Sequence, residues 1–277
     1  MTAKIIMKLL NYAMKTWQDN LSFVLVEPKE PGNIGASARA IKNMGFRNLC
    51  LVNPRTELTD EARWLACNSL DVLRAAETYP DVKSAVRDKS VVIGTSRRTG
   101  KRRGVILPIQ QGAERIIAFA KRATVAILFG REDRGLLNDE VNECGMLLTI
   151  PTSKEHRSLN LAQAVLIVAY ELLKAGYAEK AKSGELKTKH KIRKPVPRNM
   201  ESGEFGTVMV GHGEISALYD RMTDTLKLLE YIPRGDRNLE AKIMQNLRHF
   251  IARAGLTEWE LNMLHGILTR IEQKVKR

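Results

Sequence analysis

"LSFVLVEPKEPGNIGASARAIKNMG", residues Leu21–Gly45, decides the fold. Its first part, Ser22–Glu27, is apolar without polar alternation, the pattern of a strand covered on both faces. Prolines and glycines then turn the chain, and the spacing of Ile34, Ala38 and Ile41 predicts a helix over Asn33–Met44. Arg39 stands on that helix one turn after Gly35 and one before Lys42 or Asn43. It takes a different face from the apolar residues and is expected to point out of the core, at the edge of the sheet where ligands bind.

The same unit recurs along the chain. Further strands are predicted at Asn48–Asn53, Ser90–Thr95, Thr124–Phe129 and Met146–Pro151, with helices at Asp60–Glu77, Gln111–Lys121 and Ser158–Lys174. The last of these, "LNLAQAVLIVAYELL", is apolar nearly all round and is expected to be buried. Alternating strands and helices imply an α/β fold with a mostly parallel, doubly wound sheet over residues 21–175, its ligands beyond the carboxyl ends of the strands. Residues 1–20 read as a short helical extension rather than a signal peptide, because Lys8 breaks the run and no small-residue cleavage site follows. Residues 176–212 read as a basic linker: between Lys174 and Arg198 nine Lys and Arg stand against two Glu. Residues 213–277 form a C-terminal helical extension of three amphipathic segments, with Gly255 ending one and a Thr257–Glu260 capping box opening the next.

Composition narrows the function. The 277 residues carry a formal net charge of +14, which favours a polyanionic partner such as nucleic acid. No apolar run approaches the roughly 20 residues of a bilayer span, so no membrane partner is expected. Cys50, Cys67 and Cys144 are scattered and odd in number, as in a reduced, cytoplasmic protein. No CxxC, HExxH or paired histidine offers a metal site. "GNIGASA" lacks the GxGxxG of a dinucleotide fold, and Lys101 is followed by Arg rather than the Ser or Thr of a phosphate loop.

Three more stretches fall at strand ends: "GTSRRTGKRRG" (Gly94–Gly104), "FGREDRGL" (Phe129–Leu136) and "IPTSKEHRSLNLAQAV" (Ile150–Val165). Glu132 is placed to orient an arginine through a bidentate pair. Ser158 and Asn160 open a helix, with Ser158 as a candidate N-cap.

Taken together and in this order, "NxGAxARA" (Asn33–Ala40), "FGRExxGL" (Phe129–Leu136) and "IP…SLNLAxAV" (Ile150–Val165) resemble the three motifs of the SPOUT methyltransferases, in the SpoU/TrmH branch. "GTS" at Gly94–Ser96 and the ending "ELNMLHGILTRIEQ" resemble the subgroup that methylates ribose 2′-oxygens of cytidine or uridine in the tRNA anticodon loop, at nucleotide 32. The resemblance implies a trefoil knot at the carboxyl side of the domain, S-adenosyl-L-methionine as cofactor, a homodimer, and tRNA as substrate. By motif, the cofactor would be held by Thr95, Ser96, Arg97, Gly130, Ile150, Arg157, Ser158 and Leu159. Arg97 and Arg157 depart from the small residues of the family. The catalytic group would be Arg39, with Asn33 and Glu132 orienting it and Ser158 and Asn160 shaping the other side. Ribosomal RNA as substrate, or an RNA-binding protein that keeps only the fold, remain the competing readings.

Overall fold

A computed structural model of the chain describes residues 16–55, 59–98, 106–153, 155, 158–182, 209–232, 237–252 and 255–275. Its centre is a seven-stranded sheet in the order β3-β2-β1-β6-β4-β7-β5, in which all neighbouring strands pair in parallel. The strands are β1 (Leu21–Val26), β2 (Asn48–Val52), β3 (Glu77–Tyr79), β4 (Val91–Thr95), β5 (Ile106–Pro108), β6 (Val125–Phe129) and β7 (Met146–Thr149). The helices of this unit are α1 (Pro31–Asn43), α2 (Asp60–Ala66), α3 (Leu70–Arg74), α4 (Val82–Val86), α5 (Ile109–Ala120), α6 (Asn138–Asn142) and α7 (Leu161–Lys182).

Every residue of β1 is buried, so both its faces are covered. Phe23 packs its ring against Phe46 and Phe129, at centroid distances of 5.3 and 6.2 Å. β3 and β5, which the sequence reading missed, are three-residue strands at the two edges of the sheet. Pro108 ends β5, a position that only an edge strand tolerates.

The helix expected over Asp60–Glu77 is broken. Thr59 caps its start, its side chain accepting from the Ala62 amide. Cys67 then adopts φ 49°, which no α-helix continues, and the chain re-forms as a 3-10 turn (Cys67–Ser69) and α3 before extending into β3. α1 packs closely on α2 through Gly35, where an added Cβ would lie 2.0 Å from the Ala62 carbonyl oxygen.

α7 corrects two expectations. It runs on to Lys182, and residues Leu161–Ala181 are long and apolar enough, by length and composition, to cross a membrane. It is not buried all round. Val165, Val168, Ala169 and Leu172 are fully buried, while Tyr170 and Tyr177 are 50% and 57% exposed. α1 and α5 pack on it.

The C-terminal helices α8 (His212–Leu228), α9 (Arg237–Ala252) and α10 (Glu258–Val275) bury a cluster of their own around Leu218, Tyr219, Met244 and Leu261. This unit meets the amino ends of the strands. The His212 amide donates to the Lys89 carbonyl (2.7 Å), its ring lies 2.9 Å from Glu143, and Arg248 donates to the Asn142 carbonyl (3.3 Å).

The α1–α2 contact yields a test. Gly35→Ala has nowhere to place its methyl group except against backbone, so the variant should lose about 1–3 kcal/mol, read from urea unfolding of both proteins side by side.

Candidate active site

At the carboxyl ends of the strands, three segments far apart in sequence are joined by one line of hydrogen bonds. Glu132, after β6, accepts from the side-chain amide of Asn33 (2.8 Å) and from the backbone amides of Lys29 (3.2 and 3.3 Å) and Glu30 (3.4 Å). Asn33 in turn accepts from the Asn160 side-chain amide (2.8 Å). The Asn160 oxygen accepts from the amides of Ala162 (2.9 Å) and Gln163 (3.4 Å), which caps α7. The cap is therefore Asn160, not Ser158. The local cause of the line is plain: a carboxylate near the start of α1 meets free amides there, and an Asn at the start of α7 satisfies two more.

Beside this line lies an open cavity of about 120 Å³. Thr95, Ser96, Arg97, Gly130, Ile150, Ser158 and Leu159, all expected to hold the cofactor, line it, and so does Glu132. Arg157 lies outside the described residues. Gly130 is where the sequence leaves no choice. The 130–136 segment folds back through a hydrogen bond from the Gly135 amide to the Arg131 carbonyl (2.8 Å), and a Cβ on Gly130 would lie 2.1 Å from the backbone of Gly135. Gly135 itself has φ +68°, a conformation that favours glycine. Thr95 is fixed by its hydroxyl, which donates to the Leu128 carbonyl (2.9 Å).

The residues suit a purine-bearing sulfonium ligand. Leu136, Leu148, Leu159 and Ala164 supply aliphatic wall, the glycine admits a ligand close to the main chain, and Glu132 and Asp133 put carboxylates on the lining. Lys29 (2.7 Å) and Arg134 (3.2 Å) hold the Asp133 carboxyl down to a pKa of about 2.

Arg131 is a buried member of the lining and was missed by the sequence reading. It is 7% exposed and ties three elements together. Its Nε donates to Glu27 at the end of β1 (2.8 Å), and its two terminal nitrogens donate to both oxygens of Glu140 on α6 (3.0 and 2.9 Å). Glu140 also accepts from the Leu137 amide (2.7 Å). The paired carboxylates push the guanidinium pKa up, and Arg131 holds the Glu27 carboxyl below its ordinary range. The signal was present: an arginine in the middle of "FGREDRGL", with carboxylates closing the first strand and opening a later helix.

Arg39 does not take the place expected of it. Glu132 is held by Asn33 and backbone amides and makes no ion pair with Arg39, because its oxygens already face the start of α1. Arg39 is exposed and donates to the Cys67 sulfur (3.4 Å), and it does not line the cavity. Helix geometry accounts for this. Six residues beyond Asn33, its side chain leaves α1 about 9 Å further along and about 120° round the axis.

A parallel α/β unit with a glycine-walled cavity at the carboxyl ends of β4, β6 and β7, extended by three helices, is the frame of an RNA methyltransferase. Residues 20–170 match the SpoU rRNA Methylase family, and the chain belongs to it. Residues 213–277 match the C-terminal domain of the tRNA methyltransferase TrmJ. Among similar proteins, the tRNA (cytidine/uridine-2'-O-)-methyltransferase TrmJ of Photorhabdus laumondii is 34% identical over 94% of this chain and 99% of its own length. The protein of the same name from Klebsiella pneumoniae is 33% identical over 93% and 98%. The crystal structure of TrmJ from Z. mobilis superposes with a TM-score of 0.69 at 28% identity, covering 91% of this chain and 98% of that one.

The hydrogen-bond line predicts the behaviour of Asn160→Ala. Loss of the cap should cost about 0.5–2 kcal/mol of stability, seen as a lower melting temperature. With Asn33 and Glu132 released from α7, turnover should fall at least about tenfold, from about 1.4 kcal/mol per decade, in steady-state methylation assays.

Proposed function

We propose that this enzyme methylates the ribose 2′-oxygen of a cytidine or uridine at nucleotide 32 in the anticodon loop of tRNA, as a cytoplasmic homodimer with the trefoil knot of its family. The observation that carries the site is the Glu132–Asn33–Asn160 line, which draws the three motif segments to one cavity edge. The choice of tRNA is supported by the C-terminal match and by what the relatives are named for.

Thr95, Gly130, Ile150 and Leu159 would hold the cofactor mainly through backbone, with Ser96, Arg97 and Ser158 at its edge, and Arg157 joins them by motif alone. When bound, the cofactor supplies an electrophilic methyl group on a sulfonium. The chain's own work is to place the ribose in line and to stabilise the oxygen as it loses its proton. Arg39 is the group proposed for that. As a forked cation it serves as a clamp on the adjacent phosphate and on the developing oxyanion, and the proton leaves to that phosphate or to water. Glu132, Asn33 and Asn160 act in this reading as the frame of the site. Arg97, Arg98 and Arg134 on the cavity lining, with the basic linker, take further phosphates.

Arg39 lies off the cavity of its own chain, so a second copy is proposed to bring it in. Supporting this, the outward faces of α2 and α7, which flank α1, leave Trp64 79% exposed and carry Leu65, Leu166 and Tyr170 in the open. Surfaces of that kind mark interaction sites.

Two experiments test the reading. Protein with tritiated S-adenosyl-L-methionine and separate tRNA and ribosomal RNA pools should label tRNA, and digestion should place the label at nucleotide 32. Label in ribosomal RNA would move the substrate to the class in the family's name, and no label would leave an RNA-binding protein. The second mixes Arg39→Ala with Gly130→Val, each inactive alone. If Arg39 acts across the dimer, mixed dimers hold one intact site of two and regain activity toward half of wild type, whereas a site built within one chain stays silent.

A further inference from the structure

The cavity is lined by the 130–136 segment, which Glu132 and Asp133 tie to the start of α1. A second restraint is buried on its other side. Arg131 is a buried cation held between two carboxylates, Glu27 (side chain 28% exposed) and Glu140 (14%). Glu27 sits at φ 45°, a conformation that a non-glycine residue holds only when its surroundings impose it. Its amide is bound to the Val52 carbonyl (2.8 Å) and its side chain to Arg131, so the turn out of β1 is clamped from both sides. Glu140 closes the other end, gripping Arg131 with both oxygens while one of them also takes the Leu137 amide. The residues between, Glu132 to Leu136, are those that line the cavity and reach α1.

We propose that Arg131, through Glu27 and Glu140, is a positioning residue for the cofactor, setting the shape of the 130–136 wall and thereby the affinity of the cavity for S-adenosyl-L-methionine. The fork matters as well as the charge, since Arg131 spends its donors on two carboxylates at once and an ammonium has no planar pair of donors to do so. Of the cations proposed to take phosphates, Arg134 alone lies in this segment, while Arg97, Arg98 and the linker lie outside it, so tRNA affinity depends on the cluster far less than cofactor affinity does. The inference rests on the methyltransferase reading.

The test is isothermal titration of S-adenosyl-L-methionine, without RNA, into wild type, Arg131→Met, Arg131→Lys and Glu140→Gln, with tRNA filter binding at fixed salt and thermal melting alongside. Arg131→Met should bind the cofactor at least tenfold more weakly and tRNA within about twofold of wild type, with Arg131→Lys between the two. A general loosening of the fold would weaken both ligands together, and that result, or cofactor affinity within twofold of wild type in folded Arg131→Met, overturns the proposal. Should Arg131→Met fail to fold, Glu140→Gln decides: it keeps the Glu27 pair and the Leu137 amide, and it should still lose about threefold or more in cofactor affinity with tRNA binding intact. Wild-type protein that takes up no cofactor would bring down the methyltransferase reading along with the inference, and is distinguished by the wild-type titration alone.

Discussion

A carboxylate facing the start of a helix holds this site together. α1 begins with backbone amides that no turn of helix can satisfy, and Glu132 reaches them from a strand about 100 residues away in sequence. The attraction is favourable on three counts: charge against the helix dipole, hydrogen bonds to Lys29 and Glu30, and a third bond to Asn33 that passes the constraint on to Asn160 and α7. Each bond is modest alone, of the order of 1 kcal/mol. In series they set the relative position of three loops, which no single strand pairing does, because parallel strands leave their connections free to wander beyond the sheet.

This arrangement changes the role read into Glu132. From sequence it is a partner for Arg39, because an acid and a base at neighbouring strand ends invite pairing. In the fold the acid is engaged with neutral donors, and the arginine beside it, Arg131, has its own carboxylates. Adjacent residues of one motif thus serve opposite sides of the loop. Arg131 points down into an ion cluster and Glu132 across to α1.

Much of the fold was legible because the interior strands are apolar on both faces, a pattern that survives any choice of neighbour. The strand order was not, since it depends on which crossover passes over which strand, and β6 inserts between β1 and β4 with no local mark. The two edge strands were missed for a physical reason: Glu77–Tyr79 and Ile106–Pro108 are half-exposed and too short to show a period. The break at Cys67 was hidden because a left-handed φ at a cysteine has no propensity signal. The cavity's main-chain positions were legible through the spacing of motifs, whereas for Arg131 the sequence shows the arginine and the two carboxylates but not that the fold brings them together, which is decided by two other elements.

The separation of Arg39 from the cavity bears on the chemistry. A group that must stabilise a developing oxyanion gains from being brought in with the substrate or the second subunit, rather than lying permanently beside a cationic sulfonium, which it would repel across a water-poor cleft. Within one chain the lining already carries Arg97, Arg98 and Arg134 beside the carboxylates of Glu132 and Asp133, and the guanidinium of Arg131 is paired with Glu27 and Glu140. On the proposed reading, the cation that acts on the ribose belongs on a surface that meets the site only when the complex is assembled, and an exposed Arg39 on α1, with Trp64 and Tyr170 open on the helices to either side of it, suits that place.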